Sequence, residues 1–191
     1  IMPYGLGVDV GGTKILAGVI DLDTGQPIST AKKKTKVGGG PDDLVQRIVD
    51  VARDALGQAY DSKRISVEGA GIGIAGQVDR DRGLLIRGPN LGADIESLAL
   101  SERVGRELKL EVHVGNDVEV ATEGERRFGA GKGHDTFACI FIGTGIGGGI
   151  IHEGAFLRGA SNSAGEIGHA VVNYGGRLCG CGGRGHLEAY A

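Results

Sequence analysis

Apolar residues alternate with small or polar ones along residues 4–10 (YGLGVDV), and the apolar stretch 14–22 (KILAGVIDL) follows, which predicts two strands flanking the turn DVGGTK. Residues 27–36 predict a third strand ending in Lys32, Lys33, Lys34 and Lys36. Lysines at that density read as a solvated sheet edge rather than a phosphate patch, because charge on an edge blocks further pairing. Gly38-Gly39-Gly40 breaks the pattern, and Pro41 suits a first helical position. Asp42 and Asp43 follow, where a helix dipole favours negative charge. Leu44, Ile48, Val51, Ala52, Ala55 and Ala59 recur at helical spacing to about Tyr60.

Further along, 65–75 (ISVEGAGIGIA) predicts a buried strand, followed by a hairpin through Asp79, Arg80 and Asp81. A short helix over 101–109 turns Val104 and Leu108 inward, with Ser101 as its N-cap. Strand 111–115 runs into Asn116-Asp117. A helix over 118–128 is expected to bury Val118, Ala121 and Phe128 and to pair Glu123 with Arg127. Strand 135–142 leads to a second glycine loop, and 149–152 continues extended. Within FACIFIG, Cys139 reads as a packed core thiol. Three strands in succession, followed by helix–strand alternation, predict an α/β fold with a meander beside a parallel sheet. No long linker interrupts the chain, so any boundary falls near 117–130.

A length of 191 residues fits one mid-sized domain or two small ones sharing a cleft. The 38 glycines exceed the usual share of about 7 % nearly threefold, yet they follow no Gly-X-Y period and cluster at a few points. That clustering suggests sites built from backbone. Aromatics at 4 %, no Trp and a net charge of −3 give no footprint for DNA or RNA. Three unevenly spaced cysteines are not a disulfide framework and favour a reducing compartment. The start carries no basic leader and no apolar run reaches about 18 residues, so a soluble, cytoplasmic protein with no membrane partner is expected.

Asp9-Val10-Gly11-Gly12-Thr13-Lys14 could present successive amides to an anion, with Thr13 adding a hydroxyl and Asp9 placed to hold hydrated Mg²⁺. Spacing alone leaves an ordinary hairpin turn equally open. Gly143-Thr144-Gly145-Ile146-Gly147-Gly148-Gly149 contains G-x-G-x-x-G, as do residues 71–76. A dinucleotide fingerprint needs a helix straight after the loop, whereas strand and turn follow here, so a nicotinamide-dependent oxidoreductase is disfavoured. No P-loop is present, since Lys132 is followed by Gly133.

Asp117 stands at a strand-to-helix transition, where it is either an N-cap or a side chain presented to a ligand. His169, Cys179, Cys181 and His186 supply four nitrogen and sulfur donors among flexible glycines, which matches a closed, structural tetrahedral Zn²⁺ site. A redox Cys-x-Cys pair with bystander histidines is the competing reading.

Taken together, DVGGTK (9–14), GPNL (88–91), GND (115–117), GTGIGGG (143–149), GEIGH (165–169) and CGCGGRGHLE (179–188) resemble, in order, the motifs of the ROK family (repressors, open reading frames, kinases) of sugar kinases. The resemblance covers essentially the whole chain. It implies an α/β, ribonuclease-H-like (actin-like ATPase) two-lobe fold, with a complete first lobe at 1–117 and the start of a second at 118–191. By the same resemblance Asp117 would be the general base toward a hexose 6-hydroxyl in a glucokinase-type reaction. Asn90, Asn116, Glu166, His169 and Glu188 would hold the sugar. Asp9, Gly11, Gly12, Thr13, Lys14, Gly143, Thr144 and Gly145 would hold ATP phosphates and Mg²⁺ between the lobes, and the zinc knuckle would fix His169 and Glu188.

Three departures from the family pattern are visible: His186 replaces a cysteine, Val118-Glu119 replaces small or amide residues, and Gly76 follows Ala75 rather than Pro. The chain also stops just after the knuckle, where relatives continue through an adenosine pocket and a helix returning to the first lobe. A fragment or one piece of a split enzyme, weak or silent alone, is therefore expected. A homodimer would be in keeping with the family. The alternatives are an N-acetylmannosamine or N-acetylglucosamine kinase and, in another class, a sugar-sensing regulator.

Overall fold

A computed structural model describes residues 3–35, 38–88, 91, 95–143, 145–160 and 163–191. It divides into two units, Ile1–Val120 and Ala121–Ala191.

Unit 1 begins with strands β1 (Tyr4–Val10), β2 (Lys14–Asp21) and β3 (Pro27–Lys34) and the 24-residue helix α1 (Gly40–Lys63). Strand β4 (Gly69–Ile74) follows, then the short strands β5 (Gln77–Asp79), β6 (Leu84–Arg87) and β7 (Glu96–Leu98). Helix α2 (Leu100–Leu108) and strand β8 (Glu111–Asn116) complete the set. The main sheet runs β3-β2-β1-β4-β8, antiparallel through the meander and parallel from β1 to β4 to β8. A separate small sheet, β5-β6-β7, includes a third strand that the hairpin pattern did not predict.

The two faces of the main sheet differ. Leu6, Val8, Val10, Ile15, Ala17, Val19, Ala70, Ile72, Ile74, Val112 and Val114 all point to one face and are buried in the core cluster with Leu44, Ile48, Ala52 and Ala55 of α1 and Val104 of α2. The other face carries Gly7, Gly71, Gly73 and Gly115, and the row Leu16–Asp9–Gly73–Gly115 crosses it in register. Flat glycine positions admit Val120, whose side chain lies 3.4 Å from where a Cβ of Gly73 would stand and 3.0 Å from that of Gly115.

The lysine-rich strand is the sheet edge. There Lys33 reaches Asp50 (3.3 Å) and Asp54 (3.7 Å) on α1, while Lys32 and Lys34 are exposed. Helix α1 has Pro at its start and continues to Lys63, and Tyr60 is exposed. The Ser101 expectation fails: Ala99 is the N-cap of α2, and the Ser101 hydroxyl instead donates to the carbonyl of Val112.

The division between units falls inside helix α3 (Asp117–Phe128). Four sequence expectations fail here. Thr122 is the buried residue of this helix among those described, Val118 and Ala121 are half-buried, and Phe128 is 38 % exposed. The ion pair is Arg126–Glu123 at 2.7 Å instead of Glu123–Arg127. Thr122 lies directly against Gly149, so close that a Cβ at 149 would collide with it.

Unit 2 continues with β9 (Phe137–Ile142), β10 (Ile146–His152) and β11 (Ala155–Phe156), ordered β11-β10-β9. Strand β10 starts inside the glycine run, because Gly147, Gly148 and Gly149 pair with Phe141, Ile140 and Cys139. Cys139 is half-buried rather than a core thiol, and burial comes first in holding its pKa above the ordinary thiol value. Two 3-10 turns, Ile167–His169 and Leu187–Tyr190, carry the remaining motif residues. Among the described residues no helix is long and apolar enough to cross a membrane.

Candidate functional site

Two groups of motif residues form, one in each unit. In unit 1, strands β1, β4 and β8 are parallel and end at the same edge, the side on which open α/β sheets present ligands. The turn after β1 is closed by the Gly11 amide donating to the Lys14 carbonyl (3.0 Å). Thr35 braces it from the end of β3: its hydroxyl donates to the Gly11 carbonyl (2.7 Å) and its amide to the Thr13 carbonyl (3.0 Å). Among the described residues the Gly12 and Thr13 amides have no intramolecular acceptor, so this hairpin turn can also receive an anion.

At the end of β8, Asn116 rather than Asp117 caps α3. Its Oδ1 accepts the amides of Val118 (3.0 Å) and Glu119 (3.3 Å), and its Nδ2 donates to the Gly76 carbonyl (3.0 Å). One amide hydrogen of Asn116 is left for a ligand. Asp117 opens the helix half-buried, with Oδ1 accepting the Val118 amide at 3.0 Å. Glu119, on the same turn, meets Arg80 at 3.7 Å.

Asp9 lies close enough for its carboxylate to be felt by that of Asp117. Its pKa is held above the ordinary carboxylate range, first by lost hydration and then by the charge of Asp117, with Lys14 pulling the other way. Asp9 keeps solvent on one side, so a hydrated hard cation could reach it and relieve the repulsion. Asn90 and Thr144 lie outside the described residues.

In unit 2, one donor atom from each of His169, Cys179, Cys181 and His186 lies within 4.8 Å of the others. Cys181 Sγ is 3.2 Å from His186 Nδ1, and Cys179 Sγ is 3.9 Å from His169 Nδ1. Cys179 is buried at 3 % exposure. The Cys181 amide lowers its pKa, but burial, the Cys181 thiol and the Glu188 carboxylate together outweigh this and raise it. Two sulfurs and two imidazoles converging on one point fit a tetrahedral soft-ligand metal such as Zn²⁺.

Just outside that cluster, Glu166 stands 3.9 Å from His169 Nε2. Glu188 places Oε1 3.7 Å from Cys179 Sγ, and its Oε2 accepts the Ile146 amide at 2.9 Å. Sequence reasoning missed that last bond. The second glycine loop spends amides internally: Gly143 donates to the Gly145 carbonyl (2.9 Å), and Ile146 donates to Glu188. Gly145 is glycine for a further reason, since a Cβ there would collide with the Glu188 carboxylate. The glycine itself was visible in the sequence, but the carboxylate that needs the space comes from 43 positions later.

The model of the ROK family matches residues 5–191. The glucokinase of Streptomyces coelicolor is 42 % identical over 97 % of this chain and 55 % of its own length. The crystal structure of a ROK family glucokinase from Streptomyces griseus, in complex with glucose and AMPPNP, is 42 % identical with a TM-score of 0.80 over 98 % of this chain and 57 % of that one. A ROK family transcriptional regulator, a homologue of the E. coli MLC protein, is 26 % identical with a TM-score of 0.83 over 98 % of this chain and 46 % of that one. The chain thus spans about half the length of the curated relatives it matches.

Proposed function

Because the chain belongs to the ROK family, we propose that it carries the sugar- and phosphate-handling residues of an ATP-dependent hexose kinase of glucokinase type, in the α/β, ribonuclease-H-like fold of that family. The observation that carries this reading is Asp117, capped into place by Asn116 at the parallel-strand edge where Asp9 and the open amides of Gly12 and Thr13 also lie. Phosphoryl transfer asks a protein mainly to position groups and stabilise charge, which such an edge supplies.

In this reading Asp117 accepts the proton of the sugar 6-hydroxyl as that oxygen bonds to the γ-phosphorus. The bond from the γ-phosphorus to the bridging oxygen breaks and ADP leaves. Asn90, the remaining amide hydrogen of Asn116, Glu166, His169 and Glu188 orient the ring hydroxyls. Gly11, Gly12, Thr13 and Lys14, with Gly143, Thr144 and Gly145, receive the phosphates. Mg²⁺ at Asp9 would neutralise phosphate charge. Zn²⁺ on His169, Cys179, Cys181 and His186 would hold their loop together. The reaction of a whole relative is proposed for this chain together with the length that those relatives carry outside the match.

A second reading, a sugar-responsive regulator, is favoured by the likeness to the transcriptional regulator. The presence of Gly11, Gly12, Thr13, Gly143 and Gly145 supports the kinase instead. One experiment separates them: coupled ADP release with ATP-Mg²⁺ against glucose, N-acetylmannosamine and N-acetylglucosamine, beside calorimetric sugar binding, for a protein that carries this chain with the remaining length of its relatives, as wild type and as Asp117→Asn. The kinase reading expects turnover on one sugar, reduced about 10²–10⁴-fold in the variant with sugar binding kept. Sugar binding without ADP release favours the regulator. Turnover indifferent to Asp117→Asn overturns the assigned base.

A further inference from the structure

Ile146 is the first residue of β10 and closes the second glycine loop, and its backbone N–H and C=O are each met by a residue next to the metal cluster. On one side the Ile146 amide donates to Glu188 Oε2, while the other oxygen of the same carboxylate faces Cys179 Sγ at 3.7 Å. On the other side the Ile146 carbonyl is packed so tightly on Gly168 that a Cβ at 168 would collide with it. Gly168 is the middle residue of the 3-10 turn that ends in His169. Two donors of the cluster, His169 next to Gly168 in sequence and Cys179 next to Glu188 in space, thus stand beside the two residues that meet the backbone of Ile146. Ile146 itself is 7 % exposed, so its amide has little access to water as a substitute partner.

From this we propose that metal binding at His169, Cys179, Cys181 and His186 sets where Gly145 and Ile146 sit at the start of β10 through Glu188, which acts as a positioning residue on the Ile146 amide. The inference rests on the metal reading above and goes beyond it. The cluster does more than keep its own loop folded, because it fixes where the second glycine loop ends and strand β10 begins. An ionised carboxylate anchored near the metal makes a charge-assisted bond to the amide. When the metal leaves, the Cys179 and His169 elements that hold the carboxylate and Gly168 in place lose their common anchor.

Hydrogen exchange at the Ile146 amide reads this directly, with Co²⁺ in place of Zn²⁺ so that thiolate-to-cobalt absorption reports loading separately. In the wild type, loading is expected to slow exchange at Ile146 about tenfold or more. In Glu188→Ala the cobalt bands persist and the slowing disappears, while Glu188→Gln, which keeps an acceptor oxygen, restores most of it. Gly145→Ala displaces the carboxylate without removing it and gives the same loss, which covers the case of a poorly folded Glu188→Ala. The Ile150 amide, in the same strand and distant from Glu188, is the control and exchanges alike in all the loaded proteins. Slowing at Ile146 that survives both Glu188→Ala and Gly145→Ala, or loaded wild type with no slowing, overturns the proposal. Absence of cobalt bands in the wild type overturns the metal reading itself and the coupling with it.

Discussion

In unit 1 the side chains facing the helices are branched aliphatics almost wholly removed from water, Val10, Ile15, Ile48, Ile72 and Ile74 among them, whereas unit 2 buries Ile146, Ile151 and Cys179 as its apolar core among the described residues. Strand β9 shows the contrast within one element, with Ile140 62 % and Ile142 77 % exposed. Burial at roughly 25 cal/mol per Å² can hold unit 1, but so few buried residues cannot do the same for unit 2. Unit 2 relies instead on glycines that let backbones touch and on four donors poised for a metal. The chemistry follows the same division. Unit 1 presents carboxylates and open amides from a rigid sheet edge, while unit 2 gathers its groups around four converging donors.

The hardest test of this contrast is metal removal. Structural zinc contributes about 10 kcal/mol or more to small domains that depend on it. Chelation is therefore expected to abolish slow amide exchange in unit 2 while leaving β1, β4 and β8 protected, and Cys179→Ser should behave the same way. Collapse of protection in both units at once would break the comparison.

Next come truncation of a core side chain and insertion of single methyl groups. Ile72→Ala in unit 1 is expected to cost about 2–5 kcal/mol in denaturant unfolding, from lost burial and the cavity left behind. Gly168→Ala should cost about 3 kcal/mol, because the clash is with backbone that no rotamer can relieve. Gly71→Ala adds the same methyl where nothing lies within 4 Å and should stay within about 0.5 kcal/mol. Equal effects at 168 and 71 would dissolve the packing argument for unit 2.

A smaller effect sharpens the account of unit 1. Asn116→Ala removes the cap of α3 and the tie to Gly76, and is expected to cost about 1–2 kcal/mol. Asn116→Asp keeps the cap oxygen and should recover about half of that, as read by thermal unfolding.

The smallest expected effect concerns Asp50, whose pKa is lowered first by the hydrogen bond from Gln46 and then by Lys33. A lowered carboxyl pKa means that the folded state favours the ionised form. Its stabilising contribution is therefore present above the ordinary carboxylate range and is lost as pH falls through the lowered value. The group is largely solvated, so Asp50→Asn should move the Tm by less than about 2 °C at pH 7, and by nothing in acid below that range.

Much of unit 1 was legible because its pattern is local. The alternation in β1, the apolar run of β2, the helical repeat from Leu44 to Ala59 and the lysine edge each depend on neighbours within a few positions. In α3 the same reasoning failed at Val118, Ala121 and Phe128, since the buried residue there, Thr122, is the one packed against Gly149, 27 positions further on. The cap of α2 failed for a similar reason: Ser101 finds the Val112 carbonyl, a partner that exists only once β8 is in place.

By itself, then, the sequence determined the alternating strands, the order of motifs, the four-donor set and the identity of the carboxylates, all of which are properties of residue type and short spacing. Tertiary structure alone decided that Asn116 rather than Asp117 caps the helix, that Asp9 feels the charge of Asp117, and that Gly145 makes room for Glu188. Those outcomes depend on atoms brought within about 3–4 Å from dozens of positions apart. Hydrogen bonds and steric exclusion act only at that range, so no local pattern can announce them.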